Sequence, residues 1–260
     1  MATKYKIQSR QVTFSGSTGD ELAATLDFPV EAEPKQYAVM SHCFTCTRQT
    51  ITTARLSRGL AQAGFAILRL DFTGLGDSEG EFADSHFRSM VNDIACAAAF
   101  LAKHYRAPGL LLGHSMGGTA SLAASQLSLN ALSAVNGIVT LASPAYPAHV
   151  LHHFGAAMPV LEQGGESEII VAGKAYPVKP AFIEDVRSYD MTEQMRNCQQ
   201  RILAVRAGND DLVSPEAAEQ ILTYTQGAKQ LLDIDDADHL FSDRQHAAQL
   251  EIAVLGWINS

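Results

Sequence analysis

Basic charge is scarce in this sequence. Lys and Arg number 19 against 28 Asp and Glu, a formal charge of −9, and nowhere do the basic residues cluster. That argues against nucleic acid or an anionic membrane as partner, and against highly anionic substrates. No apolar run approaches the roughly 18 residues needed to span a bilayer. The N-terminal stretch Met1–Lys6 lacks the apolar segment of a secretory leader, so a cytoplasmic location is expected. Cysteine is sparse: Cys43, Cys46, Cys96 and Cys198. Cys43-Phe44-Thr45-Cys46 has the spacing of redox pairs and zinc sites, but a zinc site would want a second pair or histidines in register, and neither is present. A redox pair would sit at a helix N-terminus, which leaves that role open for this segment. No metal site is expected.

What is present is an ordinary globular balance, 47% hydrophobic and 18% charged over 260 residues. A chain of this size holds one large α/β domain, or a core with a modest insertion. Its organising stretch is Leu110-Leu111-Leu112-Gly113-His114-Ser115-Met116-Gly117-Gly118. Three leucines predict a buried strand, and the small residues from Thr119 to Ala124 predict a helix. Gly-x-Ser-x-Gly between strand and helix is the setting of a nucleophile elbow, in which the serine is strained and raised above the sheet edge. Gly113 and Gly117 let strand and helix pass closely.

Around this elbow, strands and helices alternate. Val12–Phe14 and Leu22–Phe28 read as antiparallel strands. Tyr37–Met40, Phe65–Leu70, Gly137–Leu141, Arg201–Val205 and Leu231–Ile234 read as short buried strands. Helices are expected over Thr50–Ala63, from Phe87 to about Leu101 with Ser85 as cap, over Pro215–Tyr224 with Ser214 as cap, and over Ala247–Ile258. The alternation predicts a largely parallel sheet covered on both faces. It lapses between Ala145 and Asn197, where helical segments flank a hairpin around Ala172-Gly173-Lys174. Residues 1–144 and 198–260 are thus expected to form the core, and 145–197 a cap over the strand ends. Leu151, Phe154, Ala156, Met158 and Val160 would give that cap an apolar underside above Ser115.

Ligands of such sheets gather beyond the carboxyl ends of the strands. Three residues there have the chemistry of acyl transfer: Ser115 as nucleophile, His239 as base and Asp210 as the carboxylate that orients the imidazole. Adjacent side chains of an extended loop point in opposite directions, so only one of Asp210 and Asp211 can reach His239. The Asp-x-x-Val pattern Asp210–Val213, part of the resemblance that follows, marks Asp210. His114 and His42 are expected to brace loops, and His152 and His153 to be solvated or packing groups.

The segments His42-Cys43-Phe44-Thr45-Cys46, Arg69–Gly76, Gly113–Gly118 and Asp236–Leu240 give the chain its likeness. It resembles the α/β-hydrolase superfamily and, more closely, the hydrolase module of bifunctional α/β-hydrolase/OsmC-type proteins. The resemblance implies an α/β-hydrolase fold with a small cap, and a serine esterase acting on a small-molecule ester without metal or organic cofactor. It also implies an oxyanion hole made by the amides of Met116 and Phe44, the latter in a His-Cys-Phe segment where His-Gly-x is usual. Cys43 and Cys46 then belong to a loop signature and not to a metal or disulfide site. Thioester or carbon–carbon bond cleavage by the same three residues, and a non-catalytic binding protein on the same fold, are the alternatives. Dehalogenase and epoxide hydrolase chemistry would need a carboxylate at position 115. The sequence leaves the oligomeric state open.

Overall fold

The core of the fold is an eight-stranded sheet in the computed structural model, which describes residues 4–260. Met1–Thr3, part of the stretch read above for a leader, lie outside the described residues. In chain order the sheet takes β1 (Ile7–Ser15), β2 (Glu21–Pro29), β3 (Tyr37–Ser41), β4 (Ala66–Leu70), β5 (Leu110–His114) and β6 (Gly137–Leu141). Two further strands follow an insertion, β9 (Arg201–Ala207) and β10 (Lys229–Ile234). The spatial order is β1-β2-β4-β3-β5-β6-β9-β10. β1 pairs antiparallel with β2, and β2 with β4; every other pairing is parallel.

Side chains of the parallel strands alternate between two buried clusters, as a strand period of two requires. Ala38 and Met40 of β3, Leu110 and Leu112 of β5, and Leu203 and Val205 of β9 enter one cluster. Val39, Leu111 and Ile202 enter the other. Helices α1 (Ile51–Gln62) and α8 (Arg244–Ile258) close the first face through Leu56, Leu60, Leu250, Val254 and Trp257. On the second face lie α2 (Phe87–His104) and α3 (Met116–Ala124), with Phe87, Val91, Ile94 and Ala120. The mostly parallel, doubly covered sheet is as the alternation predicted.

Two expected caps differ. His86, not Ser85, caps α2: its Nδ1 accepts the Ser89 amide at 3.0 Å, and the Ser89 hydroxyl accepts the His86 amide at 2.9 Å. Ser214 does not cap α7 (Glu216–Tyr224), because Pro215 occupies the N-cap position and the Ser214 hydroxyl bonds Glu216 instead.

Between β6 and β9 the chain runs through a 3₁₀ segment (Pro147–Phe154), α4 (Met158–Glu162), a separate hairpin of β7 (Ser167–Val171) and β8 (Lys174–Val178), then α5 (Pro180–Ser188) and α6 (Met191–Asn197). The helical stretch expected after the hairpin is divided into α5 and α6 because Asp190 starts a new helix, its carboxylate accepting the Glu193 amide at 2.9 Å. The expected apolar underside is corrected. Phe154 is fully buried and stacks on Phe182 at 5.3 Å between ring centres, while Ala156 and Val160 are exposed. A 3₁₀ turn advances side chains by about 120° per residue, so Phe154 enters the core while His149, His152 and His153 are left toward the strand ends. No helix among the described residues is long and apolar enough to cross a membrane.

Candidate active site

Strand register sets the site. Ser41 pairs with Gly113, His114 with Leu141, and Leu141 with Val205, so β3, β5, β6 and β9 end along one edge. Ser115 stands directly beyond β5 at φ 54°, ψ −129°, in the left-handed half of the map that a serine rarely occupies. Its amide donates to Leu141 O at 2.8 Å, and α3 starts at the next residue. A Cβ at Gly113 would collide with the Gly117 carbonyl, and one at Gly117 with the His42 carbonyl. The elbow is therefore tight against two neighbours, and both glycines are obligatory. Among the described residues the Ser115 hydroxyl has no hydrogen-bond partner in the protein, and neither does the Met116 amide at the head of α3.

The loop after β3 carries the other expected donor. The Phe44 amide likewise has no acceptor within the described protein. Cys43 to Cys46 form a turn closed by Cys46 N–H to Cys43 O at 3.2 Å, with Thr45 at φ 60°. Cys43 and Cys46 are joined in a disulfide, which corrects the expectation that they were a loop signature without one. Spacing alone did not distinguish these outcomes. The turn does, because it brings the two Cα atoms to 5.4 Å, within reach of a bridge.

His42, fully buried, braces the loop. Its Nε2 accepts the Phe72 amide at 3.3 Å, so Nδ1 donates to Cys43 O at 2.7 Å. Burial lowers its pKa and keeps it neutral in this role. Beneath it lies an ionic lattice that the sequence did not reveal, since its members are far apart in the chain. The Arg48 guanidinium pairs with buried Asp71 and with Asp77, the Arg48 amide donates to Asp71 at 2.5 Å, and Arg69 pairs with Asp27 at 2.8 Å.

The structure brings Asp210 and His239 together. His239 Nδ1–H donates to Asp210 Oδ2 at 2.8 Å, with the carboxylate side chain 2% exposed. Burial alone would raise the Asp210 pKa, but the bond from His239 and the amides of Val213 and Leu212 outweigh it and hold the carboxyl below its usual range. Asp211 is exposed and takes no part. His114 donates from Nε2 to His239 O at 2.7 Å, holding the loop after β10. Fully buried and beside His239, it has its pKa lowered to about 3.

A cavity of about 360 Å³ opens above Ser115. Its floor is Ser115, Met116, Phe44 and His239; its sides include Pro144, Val150, Val213 and Leu240, and the disulfide. His149, His152 and His153 line it from the 3₁₀ segment, and Tyr176 and Lys174 from the hairpin. His153 lies parallel to Phe44, 6.4 Å between centres. Half-buried beside His152 and His149, it has its pKa lowered to about 4. Sequence reasoning set His152 and His153 aside as solvated or packing groups and gave His149 no role; the 3₁₀ segment brings all three to the cavity. No group of described residues forms a metal site.

The sequence profile of the family described as serine aminopeptidase, S33, matches residues 32–166. Among solved structures, the esterase domain of a Rhodothermus marinus protein is 32% identical. That match covers 96% of this chain and 97% of the other, with a TM-score of 0.76. Est1E from Butyrivibrio proteoclasticus, solved with ferulic acid bound, is 19% identical over 96% of this chain and 100% of its own, with a TM-score of 0.78. XC6422 from Xanthomonas campestris, a serine hydrolase described as lacking a lid, is 18% identical over 97% and 94%, with a TM-score of 0.66. No curated protein matches the sequence.

Proposed function

Because this chain belongs to the serine aminopeptidase S33 family of the α/β-hydrolase superfamily, we propose that it is a serine esterase working through an acyl-enzyme on Ser115. The observation that carries this reading is the Asp210–His239 hydrogen bond at the same sheet edge as a serine held at φ 54°. Ser115 attacks the ester carbonyl while His239 Nε2 takes its proton, and Asp210 holds Nδ1–H and stabilises the imidazolium. The unpartnered amides of Phe44 and Met116 receive the oxyanion, each worth roughly 3–4 kcal/mol in comparable sites. His239 then protonates the leaving alcohol, and water releases the acid. The Ser115–His239 bond forms on substrate binding, as such bonds often tighten only in the complex.

Ester cleavage is favoured over aminopeptidase action by the cavity. Its described lining contains no Asp or Glu to receive a substrate ammonium group, and Lys174 would repel one. Residues 145–197 act as a cap that supplies one wall. His153 and Tyr176 make that wall partly aromatic, and His153 lies parallel to Phe44 of the floor, which suits an aryl acyl group; Est1E, on the same fold, binds ferulic acid. The closer kinship to the hydrolase module of hydrolase/OsmC-type proteins, carried by His42–Cys46 and Arg69–Gly76, belongs to this reading. So does action in the cytoplasm, without nucleic acid or membrane partner. The test is a panel of activated esters of alkyl and aryl acids, run beside phosphonate labelling and peptide mapping. A label on Ser115 with ester turnover is the expected result; turnover without any label there would overturn the assignment.

A further inference from the structure

The Cys43–Cys46 disulfide lies in the wall of the cavity and brackets Phe44, whose amide is free. Bridging residues three apart removes little freedom from the unfolded chain compared with a long-range bridge. Its consequence is local. It clips a turn in which Thr45, a β-branched residue, is held at φ 60°, a conformation such residues avoid. Besides the bridge, the turn is held by the Cys46-to-Cys43 backbone bond, by His42 Nδ1 on Cys43 O, and by the Tyr176 hydroxyl, which donates to Thr45 O at 2.9 Å. Both cysteines line the cavity; Cys43 is 6% exposed and Cys46 half-buried, so Cys46 is the more accessible half of the bridge. The remaining thiols, Cys96 and Cys198, do not line that cavity and are not paired with each other.

We propose that Cys43–Cys46 is a redox modification site inside the acyl cavity, opened by a small dithiol that enters where substrate does, and that opening it lowers turnover by releasing the Phe44 amide. One thiolate of the dithiol attacks Cys46 Sγ, forming a mixed disulfide and expelling the Cys43 thiolate, which is then protonated. The second thiol attacks the dithiol's own sulfur in the mixed disulfide and frees Cys46 as a thiol. The dithiol loses two electrons and two protons and becomes a cyclic disulfide; the protein gains two thiols. Without the clip, Thr45 relaxes from its left-handed conformation and Phe44 N–H no longer faces the oxyanion position. The half of the inference that concerns turnover rests on the esterase reading.

The experiment treats the whole protein with dithiothreitol and follows alkylation of Cys43 and Cys46 by mass, beside kcat and KM on an activated ester. Reduction should lower kcat at least about tenfold, as loss of an oxyanion donor does, with KM changed less than about threefold. Reoxidation should restore kcat. Phosphonate on Ser115, by filling the cavity, should slow reduction at least about tenfold relative to the free protein. The double variant Cys43→Ser/Cys46→Ser should match the reduced protein and ignore dithiothreitol; if it does not fold, the reduction and reoxidation cycle on the unmodified sequence decides. Full reduction with unchanged kcat overturns the proposal, as does a pair that dithiothreitol leaves intact in the folded protein. An oxidised protein that neither turns over esters nor takes phosphonate overturns the esterase reading instead, and alkylation of the pair still reads the redox site.

Discussion

His114 Nε2 donates to the carbonyl oxygen of His239 at 2.7 Å, so the residue just before Ser115 holds the loop that carries His239. Its other ring nitrogen, Nδ1, is buried without a partner. A proton there would have neither acceptor nor solvent, which is why His114 stays neutral.

That neutrality has a sign. The His114 pKa is about 3 in the folded protein and ~6.5 in an unfolded chain. Between these values the unfolded state binds a proton that the folded state refuses, so stability contributed here is complete above about pH 6.5 and lost as pH falls toward 3. His114→Gln should reduce the loss of unfolding free energy between pH 6 and pH 5 by roughly 1 kcal/mol. Urea titrations at both pH values measure it, and equal losses in variant and parent would refute the assignment.

Ser115→Ala should abolish nearly all ester turnover and leave the urea midpoint in place or higher, because the change deletes one hydroxyl and no packing. Undiminished turnover would place the nucleophile elsewhere.

Asp210→Asn should lower kcat by about two to four powers of ten, through the imidazole tautomer it no longer fixes. Asp211→Asn, at an exposed position, should change kcat less than about tenfold. Comparable losses at both would mean that the two carboxylates share the role.

Arg48→Met removes the guanidinium that pairs with buried Asp71 beside the loop after β3. Removing one partner of such a pair costs about 3–5 kcal/mol, and the lost loop anchor should reduce kcat as well. Denaturation midpoints and kinetics on the same preparation read both effects; full stability in the variant would show that Asp71 is satisfied without Arg48.

Two neighbouring positions of the insertion, Phe154 and His153, should separate. Phe154→Ala removes a fully buried ring and should cost about 3–5 kcal/mol of stability with the acyl preference unchanged. His153→Ala should leave stability nearly intact and reduce the ratio of aryl to alkyl ester turnover. A changed acyl preference in Phe154→Ala alone would reverse the two roles.

Much of this was legible in the sequence, because it depends on local pattern. Leu110–Leu112 could only be a buried strand, Gly113 and Gly117 could only serve a tight crossing, and the register of parallel strands then brings Ser115, Asp210 and His239 to one edge wherever the helices lie. Steric exclusion and strand period act over a few residues, so they are written in neighbouring letters. The bridging of Cys43 to Cys46, the Arg48–Asp71 and Arg69–Asp27 pairs, and the inward aim of His149 and His153 were decided by tertiary structure. Each depends on the direction of a side chain after distant segments pack: a charge is paired only where burial leaves it no water, and a 3₁₀ turn, not an α-helix, sets which face of Pro147–Phe154 meets the cavity.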